Sequence, residues 1–248
     1  MEDLLSTLHV AEAVVRYPQL RNFFDQKKLN ICCQGSYTLG KAAKEFGFDL
    51  SEIKGLSLTD KLQNAVPDIA EWRKVTRLTR LVEKIEIHYH RPLSTELNEI
   101  IDLFQILLDH HQGDEKHFSE IANVFQEMAI GTQAHMTGEE ENIFPLMRYL
   151  DYCYQKRIAL PEFPGGSIKV PIDRLEYEHV EAEKKIKELK NITHNFTAMA
   201  DTCTLLSLIY KRIIAMQKSL KDHILVENQI LNPMALKIEQ YMRGLDEG

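Results

Sequence analysis

The chain has 248 residues, 44% of them hydrophobic, enough for one large core or two unequal ones. Its 37 acidic and 30 basic side chains leave a formal charge of −7 with no basic run to reverse it locally, which argues against a nucleic-acid partner. The opening Met1-Glu2-Asp3-Leu4-Leu5 lacks the segments of a signal peptide, no apolar run reaches bilayer length, and four cysteines are too few for a disulfide scaffold, so a cytoplasmic protein with no membrane association is expected.

From the N-terminus, short apolar helical segments alternate with turn signals at Pro18, Cys32-Cys33-Gln34-Gly35, Gly47 and Gly55. Thr38 and Ser51 have the chemistry of helix N-caps, and Gly47 stands where a left-handed residue would end a helix over Leu39–Phe46. These features predict a small helical N-terminal domain over residues 1–62. Its adjacent Cys32 and Cys33 have Cα atoms about 3.8 Å apart, below the relaxed disulfide range. In a loop near Lys27 and Lys28, an exposed reactive thiol and a half-buried pair of small residues are both open readings. Cys153 and Cys203 carry no motif.

A polar stretch at Thr59–Pro67 then gives way to longer periodic segments, which predict helices over 70–111, 116–150, 172–197 and 201–242. The connection 151–171 holds Pro161, Pro164, Gly165, Gly166 and Pro171 and reads as an irregular crossover. No strand pattern of comparable length interrupts them. The expected fold is therefore all-α, with an antiparallel four-helix bundle over 70–242.

Two stretches of that bundle repeat one pattern, His135-x-x-x-Glu139 with Pro145 and His223-x-x-x-Glu227 with Pro233. On a helix, residues four apart project from one face, about 40° apart around the axis and about 6 Å along it. His135 shares a stripe with Ile121, Val124, Met128, Ile143 and Leu146. His223 continues Ile209, Ile213, Met216 and Leu220, and the stripe resumes at Ile230, Met234 and Ile238. His179 lies among Ile172, Leu175, Ala182, Ile186 and Leu189. On the first helix His90 leads an apolar stripe through Leu93, Leu97, Ile101, Phe104 and Leu108, whereas His88 leads Arg91, Thr95, Glu99 and Asp102, so His90 is the inward one. His111 would stand about 31 Å further along that helix and is not counted. His9, His110, His117 and His194 read as surface or capping residues. The prolines need only kink or end a helix, and Glu140 and Glu141 read as a solvated run. Glu178 either lines an access path or is simply exposed.

Four histidines and two glutamates on inward stripes would leave uncompensated charge in a core, and metal ions neutralise it most directly. The mixture of nitrogen and oxygen ligands suits iron, manganese or zinc. It predicts two ions, each with two imidazoles and a share of two bridging carboxylates, and with coordination left open for dioxygen, peroxide or nitric oxide.

The chain resembles the di-iron repair-of-iron-centres proteins, a branch of the hemerythrin-like family. The resemblance is carried by Asn30-Ile31-Cys32-Cys33-Gln34-Gly35, Tyr37-Thr38-Leu39 and Ala42-Ala43 in the N-terminal unit. In the bundle it is carried by His88-Tyr89-His90, His135-Met136, Glu139-Glu140, Glu178-His179, Glu181-Ala182, His223 and Glu227-Asn228. It implies a hemerythrin-like bundle binding two iron ions as an oxo- and carboxylate-bridged pair. The implied ligands are His90, His135, His179 and His223, with Glu139 and Glu227 bridging; Glu178, beside His179, is a candidate residue of the shell behind them. It also implies repair of iron–sulfur centres after nitrosative or oxidative stress, damaged iron–sulfur proteins as clients, and an N-terminal domain that forms a homodimer and touches clients through Cys32 and Cys33. A nitric oxide or dioxygen store or sensor, and a nitric oxide or peroxide reductase, are the alternatives, so whether the protein is an enzyme stays open. The chain departs from the family at Gln34 and Asn232, and Gly131 stands at an often acidic position, which puts a carboxylate-lined channel in doubt.

Overall fold

A computed structural model describes residues 6–17, 20–53, 69–110, 115–197 and 203–246. Pro18, Gly55, Thr59–Pro67 and His111 fall outside them, as do the side chains of Cys32 and His110. The described residues are helical, with no β-strand among them, and the fold is the expected all-α one. No described helix is long and apolar enough to cross a membrane.

The N-terminal helices are α1 (Val10–Arg16), α2 (Leu20–Gln26), α3 (Ile31–Gln34) and α4 (Leu39–Phe46). Thr38 caps α4 by accepting from the Lys41 amide, and Gly47 ends it at φ 68°, where a side chain would be strained. Ser51 is not the cap expected. Asp49 caps the following single turn and accepts the Ser51 amide at 2.7 Å, because Ser51 already lies inside that turn.

Four helical rods follow the short α5 (Ile69–Trp72). The first joins α6 (Leu78–Ile85) to α7 (Arg91–His110) through a π turn, Glu86–His90. The second joins α8 (Glu115–Gly138) to α9 (Phe144–Lys156) through Glu139–Ile143. The third is α10 (Lys169–Ile192), and the fourth joins α11 (Thr204–Val226) to α12 (Asn232–Asp246) through Glu227–Leu231. The first rod starts later than expected because Arg77 is extended and cannot cap α6 with its own side chain. Buried Asp151 of α9 does this instead, accepting from the Thr79 amide at 3.2 Å, the Thr79 hydroxyl at 2.6 Å and Arg77 Nε at 3.0 Å. The second rod runs on to Lys156, which shortens the irregular connection.

Each π turn is followed by a proline at the second residue of the next helix: Pro92, Pro145 and Pro233. In an α-helix that ring would clash with the carbonyl four residues back. The wider turn admits it and the rod continues, with the amides of Arg91, Phe144 and Asn232 bonding five residues back to Glu86, Glu139 and Glu227. The extra residue in the turn also moves the buried stripe on by one. Met147 and Ala235 are buried where Leu146 and Met234 were expected, and Glu239 where Ile238 was.

By their contacts the residues form two compact units. One is Met1–Leu62 with Thr95–Gln126 and Glu188–Met216; the other is Gln63–Ser94 with Glu127–Lys187 and Gln217–Gly248. The division cuts across all four rods, and residues up to Leu62 fall in the first unit together with one end of each rod. The first unit has a core of Val10, Phe24, Leu39, Phe48, Leu103 and Phe125, together with the buried Arg212. The second gathers the starts of rods one and three and the ends of rods two and four, so neighbouring rods alternate in direction. All six expected ligands lie in it.

Candidate metal centre

In the second unit His90, Glu139, His223 and Glu227 form one buried donor group, and His135, Glu139, His179 and Glu227 form another, each with its donor atoms within 4.8 Å of one another. Both glutamates belong to both groups. His90 closes the first π turn, Glu139 and Glu227 open the other two, and His179 comes from the regular α10. The Nε2 atoms of His90 and His223 are 3.1 Å apart, and those of His135 and His179 are 3.0 Å apart. Glu139 Oε2 lies 3.3 Å from His90 Nε2 and 3.5 Å from His135 Nε2. Glu227 divides its oxygens, with Oε1 2.6 Å from His223 Nε2 and Oε2 3.4 Å from His179 Nε2.

The protonation pattern explains why this cluster fits a cation. His90 Nδ1 donates to Glu140 Oε1 at 2.7 Å, and His135 Nδ1 donates to Glu178 Oε2 at 2.9 Å. A neutral imidazole with its proton on Nδ1 has a bare lone pair on Nε2, so each Nε2 pair sets basic nitrogens face to face. Glu139 Oε2 and both oxygens of Glu227 are buried without a hydrogen-bond partner. Donors held about 2.1 Å from one ion and at right angles are about 3 Å apart, close to the observed spacings. Without metal, protons must serve. Burial opposes charge on His90, but the neighbouring Glu139 and Glu227 carboxylates favour the charged ring and raise its pKa to about 10. Burial and the charge of Glu227 push the Glu139 carboxyl up to about 7. Glu227 is buried too, yet the nearby His223 and His179 rings hold it well below the usual carboxylate range.

Glu140 is exposed, as expected of a solvated run, but it also serves His90, which the sequence did not signal. The π turn that begins at Glu139 turns Glu140 toward His90, where it fixes the ring and its tautomer. Glu178 does the same for His135 while lining a cavity of about 580 Å³ with Met128, Gly131, Leu175 and His179. At Gly131 a Cβ would meet nothing within 4 Å, so the cavity is open on that side, yet Glu178 keeps a carboxylate in its wall. Substituting either outer carboxylate, Glu140→Ala or Glu178→Ala, should weaken metal binding about 10- to 100-fold, measured by competition with a chelator.

His88 packs edge-on against Trp72 at 6.0 Å and belongs to neither donor group. His88→Ala should leave metal content per chain unchanged in elemental analysis. Sequence reasoning also missed Tyr89, which stacks on the His223 ring at 5.3 Å and 23°. Its contact joins residues far apart in the chain, so no local spacing signals it. Burial pushes its phenol up to about 12. Away from the centre, Cys33 is exposed and free, and its carbonyl accepts from the Thr204 hydroxyl. Cys153 is buried and Cys203 half-buried.

The family model described as hemerythrin HHE cation binding domain matches residues 87–235, which include all six centre residues. Similar proteins include the iron–sulfur cluster repair protein YtfE of Edwardsiella ictaluri, 26% identical over 227 residues that cover 92% of this chain and 96% of the relative. The YtfE of Pectobacterium carotovorum is 24% identical over 234 residues, 93% of this chain and 97% of the relative. A probable iron–sulfur cluster repair protein of Haemophilus influenzae is 27% identical over 233 residues, 92% and 96% of the two chains.

Proposed function

We propose, for a chain that belongs to the hemerythrin HHE cation-binding domain family, the repair of damaged iron–sulfur centres by means of an iron pair. His90 and His223 would hold one ion, His135 and His179 the other, and Glu139 and Glu227 would bridge them. The sharing of both glutamates between two donor groups is the observation that carries the reading, because one ion would not need it. The names of relatives matched over more than nine-tenths of this chain supply the repair function. When bound, the iron pair supplies open coordination positions and exchangeable electrons for small ligands such as nitric oxide or dioxygen. The protein's part is to orient the His90 and His135 imidazoles through their Nδ1 protons, keep bulk water from the carboxylates, and admit small molecules by the cavity beside His135 and His179. Clients would be damaged iron–sulfur proteins of the cytoplasm, met by a homodimer through the N-terminal unit near exposed Cys33.

The test adds iron-loaded protein to a nitric oxide-damaged iron–sulfur enzyme and follows recovered activity. Recovery that falls in a Cys32→Ser, Cys33→Ser double variant is the expected result. The cavity also favours a second reading, a reversible nitric oxide or dioxygen store. Intact gas binding without any recovery of the client enzyme would select it.

A further inference from the structure

An aromatic column leads away from the centre within the second unit. Tyr89 stacks on His223 with ring centroids 5.3 Å apart and 23° between planes, and Trp72 stacks on the other side of Tyr89 at 5.5 Å and 21°. Both rings are buried, Trp72 completely and Tyr89 to 1% exposure. The ammonium of the half-buried Lys84 lies 4.7 Å over the indole, and the edge of half-buried His88 meets it at 6.0 Å, so the column ends just beneath the surface. Stacked rings at these separations leave no room for solvent between them, so the path from His223 to Trp72 runs through packed aromatic rings. Phenol and indole are the side chains that give up one electron most readily after thiols, and here they stand in series on a candidate metal ligand. Packing alone would be served by any large apolar ring.

We propose that Tyr89 and Trp72 form an electron relay that supplies one of the two electrons needed when the iron pair meets hydrogen peroxide. The relay rests on the iron pair of the proposed function, not on client repair. Peroxide takes two electrons and two protons to become two waters. With the iron pair, when bound, supplying one electron, Tyr89 would give the second, and its phenol proton would be one of the two that peroxide takes up. Trp72 then reduces Tyr89, which regains its proton, and a soluble one-electron reductant of the ascorbate class reduces the indole. The net change is one peroxide reduced, one electron lost by the metal pair and one by the soluble donor.

Trp72 is the chain's one tryptophan, so its fate can be read without ambiguity. After elemental analysis has established two irons per chain, peroxide is added without reductant, samples are freeze-quenched for electron paramagnetic resonance, and peptides are analysed by mass spectrometry. The expected results are an aromatic radical and oxygenated Trp72 in iron-loaded protein, neither of them in metal-free protein, and suppression of both by ascorbate. Tyr89→Phe keeps a stacked ring but removes the phenol, and should lose the radical and most of the Trp72 oxygenation at unchanged iron content. Equal oxygenation of Trp72 in metal-free protein, or no radical in the loaded wild type, overturns the relay, and neither measurement needs the variant to fold. Equal oxygenation in fully loaded Tyr89→Phe overturns it as well. A protein that binds no iron pair overturns both readings, whereas a working relay in a protein that repairs no client overturns only the repair function.

Discussion

Glu227→Ala should reduce bound iron from two ions per chain to one or none, the largest loss expected from any single change at the centre. Glu227 is 1% exposed and presents a different oxygen to each donor group, Oε1 toward His223 and Oε2 toward His179. Its removal would therefore take a ligand from both ions of the proposed pair at once, together with a negative charge that offsets them. What remains is four imidazoles and Glu139, a set with too little charge to hold two divalent cations in a buried site. Glu139→Ala should act in the same direction. Glu227→Gln separates charge from shape, since the amide fills the same space but offers one neutral oxygen and two N–H donors that face the His179 or His223 nitrogen. It should also lose metal. Elemental analysis and the optical spectrum of the purified variants give the answer, and two irons in Glu227→Ala would remove this residue from the centre.

Much of that centre could be read from spacing, and the parts that could not share a physical cause. The His135/Glu139 and His223/Glu227 pairs were legible because four-residue spacing is a property of a single helix. His90 was separated from His88 by its apolar stripe, and the structure buries His90 to 2% exposure. Beyond each carboxylate the reading slipped by one residue, at Leu146, Met234 and Ile238, because a regular helical period cannot anticipate a π turn. The prolines that follow those turns were the available signal, read only as kinks or ends. Glu140 and Tyr89 were illegible for a different reason. Their partners His90 and His223 come from other rods, and nothing within a helix specifies which side chain will face it across a core. The same holds for Asp151, which caps a helix begun more than seventy residues earlier.

Arg212→Met should destabilise the fold by about 3–5 kcal/mol, the usual cost of removing one partner from a buried charge cluster. The Arg212 side chain is 10% exposed and serves three carboxylates of the first unit. Its Nε donates to Glu96 Oε1 at 2.9 Å, and Nη2 reaches Glu96 Oε2 at 2.6 Å and Glu99 Oε2 at 2.7 Å. Glu12 Oε1 stands 3.9 Å from Nη1. Methionine fills the volume, so the loss measures charge rather than a cavity. Arg212→Lys should recover only part of it, because an ammonium cannot reproduce the planar fork that reaches both oxygens of Glu96 and Glu99 together. The pH dependence gives a second check on the same cause. Burial raises the Glu12 carboxyl, but hydrogen bonds from His9 and the charge of Arg212 outweigh it and lower it below its ordinary value. A depressed carboxylate contributes stability that is present above its unfolded pKa and lost as pH falls through the folded one. The wild type should therefore lose stability on acidification faster than Arg212→Met, and the gap in denaturation midpoint should be widest at neutral pH and narrow below about pH 4, where carboxyls protonate and no longer need a cation. A gap that stayed constant with pH would assign the loss to packing instead of charge.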